Sequence, residues 1–324
     1  MTEKVTAKRT AGGLERWLQA AARAVLVLIM LLVIIDGVAC SQREYSGKMT
    51  VVATIFPLAD FVKNVAGDRV EVVTLLRPGD SPHTYEPSSR DMKAVSRARL
   101  LVVNGAGLDF WVEKLKSAAS DNLSVVDTSL ALEAEGLLLS SGEHEQEHAG
   151  DTHGGVNPHY WLDPVLAQKQ VGTIASALAQ ADPENRDFYL GNAAVYVNEL
   201  KSLDEEIKAK TGEFSFRQFI AFHASWTYFA RRYDLVEAAV IQEAPGKEPS
   251  SAYIKTVVDL AKALQVKAIF AEPQFNSQAA KAIAADSGAE VLLLDPLGGH
   301  GLKNRDSYIA LMRYNVSQME RAMG

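Results

Sequence analysis

The sequence alternates short runs of β-branched and aliphatic residues with segments of helix length, and this alternation constrains the fold more than any other feature. The runs are almost continuously apolar, which is typical of strands buried on both faces of a parallel sheet. They form two sets of four, at residues 49–55, 70–76, 100–104 and 123–127, and at residues 217–222, 235–241, 267–271 and 290–294. Helical patterns between them include residues 87–98, 107–118, 250–264, 276–286 and 305–322. The pattern predicts an α/β protein of two lobes, each a four-stranded parallel sheet flanked by helices.

One long helical segment separates the two sets of strands. Residues 184–212 begin after Asp182-Pro183 and end at Gly212, which are the usual signals at the ends of a helix. A helix of this length spans about 43 Å, so we predict that it joins the lobes. The predicted boundaries are 41–183 for the N-terminal lobe, 184–212 for the linking helix and 213–324 for the C-terminal lobe. Its predicted apolar stripe consists of Phe188, Val195, Val197, Leu200, Leu203 and Ile207.

The first forty residues have the features of an export signal. Basic residues extend to Arg23, and an apolar run of twelve residues follows from Ala24 to Ile35. Twelve residues are short for a bilayer span and suit the hydrophobic region of a signal peptide. We therefore predict that residues 1–40 are a signal peptide and that the protein is exported, either periplasmic or anchored to a membrane outside the cytoplasm.

Cys40 is the only cysteine of the chain, and it follows Gly37-Val38-Ala39. It resembles the cysteine of bacterial lipoproteins that becomes the lipidated N-terminus, although Gly37 stands where a leucine is usual. Gly37 and Ala39 also suit an ordinary signal peptidase, and an uncleaved signal anchor is a third alternative. We favour lipidation of Cys40, which would anchor the protein to a membrane leaflet.

The charge balance excludes one class of partner. The net charge is −7, and residues 1–39 contribute +2, which leaves −9 for the rest of the chain. A protein this acidic lacks the basic surface that nucleic acid requires. Acidity by itself indicates no more than solubility.

Three of the seven histidines lie in turn-forming segments or directly after a strand. His83 and His159 belong to predicted loops of the first lobe, His223 follows the first strand of the second set, and Asp295 ends the last strand. Ligands of open α/β sheets bind at the carboxyl ends of strands, so these four residues could meet across a cleft between the lobes. Three imidazoles and one carboxylate make a plausible zinc site. Spacing alone leaves open that each histidine merely occupies a turn.

A resemblance strengthens the metal interpretation. Over roughly residues 48–322 the chain resembles the cluster A-I substrate-binding proteins, which are the zinc and manganese receptors of ABC importers, also called bacterial solute-binding protein family 9. Six segments carry it in order: Pro82-His-Thr-Tyr-Glu-Pro87, Asn157-Pro-His-Tyr-Trp-Leu-Asp-Pro164, Phe222-His-Ala-Ser-Trp226, Gly246-Lys-Glu-Pro249, Ala271-Glu-Pro-Gln-Phe275 and Leu294-Asp-Pro-Leu-Gly-Gly299.

The resemblance implies that His83, His159 and His223 bind the metal and that Asp295 is the candidate for the fourth ligand. Manganese receptors of this family resemble a set of two histidines and two carboxylates, with glutamate at the third position. This chain has His223 there, and a third imidazole favours Zn²⁺ over the harder Mn²⁺. We therefore expect zinc, with manganese as the alternative.

Several further residues receive weaker assignments. Glu86 either orients His83 or caps the helix that starts near Pro87, and Glu272 either approaches the cleft or holds a Glu-Pro turn. Residues 140–157 are polar and without periodicity, so we predict a mobile loop. Its histidines are an accessory metal scavenger or simply solvated, namely His144, His148 and His153.

Taken together, these features predict a monomeric, non-enzymatic receptor that captures Zn²⁺ and delivers it to the membrane permease of a zinc ABC importer. Because ligating imidazoles must be deprotonated, we expect the affinity to fall in mild acid. Two rivals are a zinc hydrolase, for which no His-Glu-x-x-His helix is present, and a surface adhesin, for which the sequence shows no adhesive module.

Overall fold

A computed structural model of the protein describes residues 47–141, 155–242 and 246–324. Residues 49–324 form one compact unit that contains two four-stranded sheets, and all strand pairs within them are parallel. The first sheet has the order β2-β1-β3-β4, and its strands are β1 (Met49–Ala53), β2 (Val70–Thr74), β3 (Leu100–Val103) and β4 (Ser124–Asp127). The second has the order β6-β5-β7-β8, and its strands are β5 (Gln218–Ala221), β6 (Val236–Val240), β7 (Ala268–Ala271) and β8 (Glu290–Leu293). The predicted α/β class and two-sheet arrangement are confirmed.

Helices connect the strands and cover the sheets. In the first half these are α1 (Phe56–Ala66), α2 (Ser89–Val95), α3 (Val112–Lys116), α4 (Leu130–Ala134) and α5 (Pro164–Ala181). The long helix α6 (Arg186–Gly212) follows, and the second half contains α7 (Thr227–Arg232), α8 (Ser251–Leu264), α9 (Gln278–Ser287) and α10 (Tyr308–Met323). Among the described residues, no helix has the length and apolar character needed to cross a membrane.

Two predicted helices are shorter in the structure, and their local sequence explains why. The segment predicted at 87–98 is helical only as α2, and the capping box of Ser88 and Asp91 determines where this helix begins. The segment predicted at 107–118 is helical only as α3. The backbone at Gly105, Ala106 and Gly107 has positive φ angles of 81°, 50° and 80°, which precludes a helix there.

The long helix α6 is confirmed, but its buried face differs from the predicted stripe. Val195 is 61% exposed and Phe188 is 37% exposed. The buried positions follow each other at spacings of three and four residues, as a helix face requires: Tyr189, Ala193, Tyr196, Leu200, Leu203, Ile207 and Thr211. The two buried tyrosines carry hydroxyl groups that find acceptors, since Tyr196 donates to Asp60 and Tyr189 donates to Asp182.

Specific hydrogen bonds fasten the two halves of the unit together. The Asp60 carboxylate on α1 is 5% exposed and accepts hydrogen bonds from the Tyr308 backbone N–H at the start of α10, at 3.0 Å, and from Tyr196. Burial raises its pKa, although these hydrogen bonds oppose the rise. Trp161 Nε1 donates to the Pro296 carbonyl at 2.8 Å. One continuous apolar core includes residues of both sheets. The predicted lobe boundaries, near residues 183 and 212, stay a prediction.

We expect Asp60→Ala to lower the free energy of unfolding by about 1–3 kcal/mol, because it leaves buried donors of α6 and α10 without an acceptor. Urea denaturation measures the change. Asp259→Ala is the control, since Asp259 is exposed and pairs with Lys255 on the same helix, and this variant should remain close to wild type. Equal stability of both variants would contradict this account of the connection.

Candidate metal centre

His83 lies on a short 3-10 turn, Pro82–Thr84, in the loop that follows β2. This loop is held against the first lobe because Trp111 Nε1 donates to the Pro82 carbonyl at 3.0 Å. The His83 side chain is half-buried, whereas His159 and His223 are 1% and 3% exposed. His83 is therefore the member of the histidine group that lies nearest to solvent.

His159 and His223 enter the centre from opposite halves of the unit. His159 follows Asn157-Pro158 and precedes the turn Tyr160–Leu162, which leads into α5. The Pro158 carbonyl accepts a hydrogen bond from Asn104, in the loop after β3. His223 lies two residues beyond the end of β5, at the carboxyl edge of the second sheet. Both thus occupy the kind of position at which parallel α/β sheets bind ligands.

The Nε2 atoms of the three rings converge. His83 Nε2 and His159 Nε2 are 3.1 Å apart, and His159 Nε2 and His223 Nε2 are 3.2 Å apart. All three ligand atoms lie within 4.8 Å of one another. A tetrahedral zinc ion with Zn–N bonds of about 2.0–2.1 Å requires nitrogens about 3.3 Å apart, so the group has nearly the spacing that the ion requires.

Hydrogen bonds to the opposite ring nitrogens orient two of these rings. His159 Nδ1 lies 2.9 Å from Asn157 Oδ1, and His223 Nδ1 lies 2.9 Å from Glu272 Oε1. Both oxygens are acceptors, so Nδ1 carries the proton in each ring and the Nε2 lone pairs face the centre. Two facing lone pairs at 3.2 Å repel each other unless a cation lies between them, either a metal ion or a proton. The arrangement is thus suited to a shared cation.

Burial disfavours the charged, doubly protonated form of His83 and His159. Burial, together with the nearby His223, lowers the pKa of His83 to about 3 and places the pKa of His159 well below its usual value. Neutral imidazole is the form that binds a metal. Because the pKa values of His83 and His159 are lowered, protons compete with a metal ion for these two rings only at a lower pH than the mild acid expected from the sequence.

Asp295 lies beyond the end of β8 and is engaged elsewhere. Its Oδ2 accepts a hydrogen bond from Arg305 Nη1 at 2.7 Å, and its Oδ1 accepts from Gln274 and from two backbone N–H groups, those of Leu297 and Gly298. Among the described residues, the group within 4.8 Å contains the three histidines and does not include Asp295.

The weaker candidates separate into distinct environments. Glu272 is 2% exposed, and its Oε1 contacts Nδ1 of His223, the nitrogen opposite the Nε2 atom at the centre. Glu86 pairs with Lys114 on the surface, where its side chain is 73% exposed. A bridge between Ser140 and Val156 closes the base of the polar loop. Four predicted residues lie outside the described part of the chain, namely Cys40, His144, His148 and His153.

One contributor to the centre was not identified as such from the sequence. The sequence places Asn157 in the segment around His159, but its role depends on a side-chain contact that residue spacing does not reveal. Its place two residues before a candidate ligand is typical of an Asx turn, and this was the available signal.

Comparison with known proteins adds independent information. The sequence profile of the family described as "ZnuA: Zinc-uptake complex component A periplasmic" matches residues 51–322. The high-affinity zinc uptake system protein ZnuA of Bacillus subtilis (strain 168) is 29% identical over 291 residues, which cover 87% of this chain and 90% of that protein. The zinc-binding lipoprotein AdcA of Streptococcus pneumoniae is 30% identical over 292 residues, which cover 88% of this chain. The matched region is only 58% of the length of AdcA.

Solved structures give the same picture. A crystal structure of ZnuA has a TM-score of 0.75 and 34% identity, and the match covers 86% of this chain and all of that one. The laminin binding protein Lmb of Streptococcus agalactiae, described as having adhesin and metal transporting activity, has a TM-score of 0.73 and 29% identity, with coverage of 85% and 100%. The likeness thus extends over both sheets and the long helix.

In the metal-free protein, we expect His83 to remain neutral from pH 8 to pH 5 and the pKa of His159 to lie well below its usual value. The unfolded chain takes up these protons near pH 6.5. Acidification below that value therefore favours the unfolded state, and stability is lost as the pH falls. Imidazole ¹⁵N chemical shifts across a pH titration measure the protonation directly. A midpoint near 6.5 for either ring would contradict the lowered pKa values.

Proposed function

The chain belongs to the family of periplasmic zinc-uptake component A proteins, and we propose that it captures Zn²⁺ outside the cytoplasm and delivers it to an ABC permease. The observation that carries this proposal is the convergence of three Nε2 atoms at distances close to those of a tetrahedral zinc site. The family consists of solute-binding receptors, and a receptor function without catalysis is the corresponding proposal for this chain.

The donor set supports zinc as the transported ion. Three imidazole nitrogens suit Zn²⁺, whereas Mn²⁺ prefers carboxylate and other oxygen donors. His223 is the residue that discriminates between zinc and manganese, because a manganese receptor of this family is expected to have a carboxylate at this position. Relatives named for zinc uptake and zinc binding support the same choice.

For the fourth coordination position, we propose Asp295 or a water molecule. Asp295 is buried and lies two residues beyond the end of β8, but its Oδ2 is paired with Arg305. Binding of Asp295 to the ion would require its carboxylate to turn from Arg305 or to share that oxygen. The His₃ group is sufficient for zinc with water as the fourth ligand.

The location and the partner follow from the same proposal. We propose that residues 1–40 direct export, and that the lipidated Cys40 anchors a monomeric receptor beside its permease. The relative AdcA is described as a lipoprotein, which supports this anchor.

We propose that the loop histidines at 144, 148 and 153 act as accessory ligands and that Glu272 positions His223. We assign Glu86 to the surface.

Single substitutions of His83, His159 and His223 by alanine should each weaken zinc binding by more than about 100-fold, which exceeds the usual cost of losing an outer hydrogen-bond partner. Competition with a zinc chelator measures the dissociation constants. His300→Ala is a matched control, because His300 is exposed and lies against Phe56. Wild-type affinity in all three variants would refute the proposed site.

A comparison of metals tests the identity of the transported ion. The wild-type protein should prefer Zn²⁺ to Mn²⁺, and His223→Glu should shift this preference toward Mn²⁺ by about tenfold or more, because an oxygen donor replaces nitrogen. Titrations with both ions measure the ratio of affinities. An unchanged ratio would show that His223 does not discriminate between the metals.

A further inference from the structure

Asn157 uses all its polar groups in one buried position between the two halves of the unit. The residue is 1% exposed. Its backbone N–H donates to the Leu139 carbonyl at 2.8 Å, and its carbonyl accepts from Tyr228 Oη at 2.9 Å. The side-chain amide makes separate contacts. Its oxygen contacts the first half of the unit, and its nitrogen contacts the second half.

The oxygen end holds a candidate ligand from the first half. Asn157 Oδ1 accepts hydrogen bonds from His159 Nδ1 at 2.9 Å and from the His159 backbone N–H at 3.0 Å. These two contacts fix the rotation of the ring and keep its proton on Nδ1. The Nε2 lone pair is then directed at the centre that His83 and His223 share.

The nitrogen end reaches the segment that carries the ligand from the second half. Asn157 Nδ2 donates to the Ala224 carbonyl at 2.8 Å and to Thr227 Oγ1 at 3.2 Å. Ala224 directly follows His223 in the chain. Because Nδ2 faces a carbonyl, which only accepts, the orientation of the amide is determined, and Oδ1 must be the atom beside His159.

We propose that Asn157 is a positioning residue that couples the two halves of the metal centre. This rests on the proposed zinc-binding function and extends it. One amide group orients His159 and at the same time holds it in register with the His223 segment, 3.2 Å from His223 Nε2. A shift of the halves that breaks the Asn157–Ala224 hydrogen bond also separates the ligands, so the coupling slows the release of zinc.

Two substitutions separate the two contacts of the amide. Asn157→Asp keeps an acceptor for His159 Nδ1 but places an oxygen against the Ala224 carbonyl, so it breaks the link between the halves and preserves the ring orientation. Asn157→Ala removes both contacts. Asn192→Ala is the matched control, since Asn192 also donates from Nδ2 to a backbone carbonyl, that of Val65, in the helical region away from the histidines.

Three measurements define the expected result. Asn157→Ala should weaken zinc binding about 10- to 100-fold, as is usual when the outer partner of a ligating histidine is lost, and His159 should no longer populate one tautomer in its ¹⁵N spectrum. Asn157→Asp should keep the wild-type tautomer and release zinc to a chelator at least tenfold faster in stopped-flow experiments. Asn192→Ala should match wild type in all three properties.

The outcomes distinguish this inference from the function on which it rests. If wild-type protein does not bind zinc, the proposed function fails. If wild-type protein binds zinc but both Asn157 variants keep its dissociation rate, only the coupling role is overturned. Should the variants not fold, the wild type still decides, because zinc should slow the solvent exchange of the Asn157 side-chain amide. Exchange at an unchanged rate would overturn the proposal.

Discussion

Three imidazole rings, two of them buried and one half-buried, direct the same nitrogen, Nε2, toward a common centre, and the rest of the structure is arranged around this constraint. Neutral imidazoles survive burial because the charged form is disfavoured away from water. Their facing lone pairs would repel each other without a cation between them. The centre therefore has a built-in preference for a positive ion, and its nitrogen donors narrow that preference to a metal such as zinc.

The fold supplies this arrangement through two parallel sheets and the contacts that fix their separation. One sheet leads into the loops that carry His83 and His159, and the other ends at His223. The helix α6, the buried carboxylate of Asp60 and the hydrogen bond from Trp161 to the Pro296 carbonyl connect the halves at a distance from the metal centre. Asn157 connects them at the centre itself. A displacement of either half would therefore alter the geometry of the ligands.

The sequence was sufficient to predict the sheets and the long helix, because buried parallel strands and helix ends leave strong local patterns. The family was predicted from the six segments that resemble it. It predicted the buried face of α6 only in part. Tyr189 and Tyr196 are buried there because Asp182 and Asp60 accept their hydroxyl hydrogen bonds, and a long-range partner such as Asp60 has no local signal. The same limit applies to the site. The family resemblance implied three histidine ligands, but the pairing of Asp295 with Arg305 and the two contacts of the Asn157 amide depend on tertiary structure.

The central claim is that three histidine nitrogens hold the zinc ion, and X-ray absorption spectroscopy at the zinc edge of the loaded protein tests it most directly. The account predicts three imidazole scatterers with Zn–N distances of about 2.0–2.1 Å, completed by one oxygen donor. A zinc environment dominated by oxygen, with at most one imidazole, would contradict it.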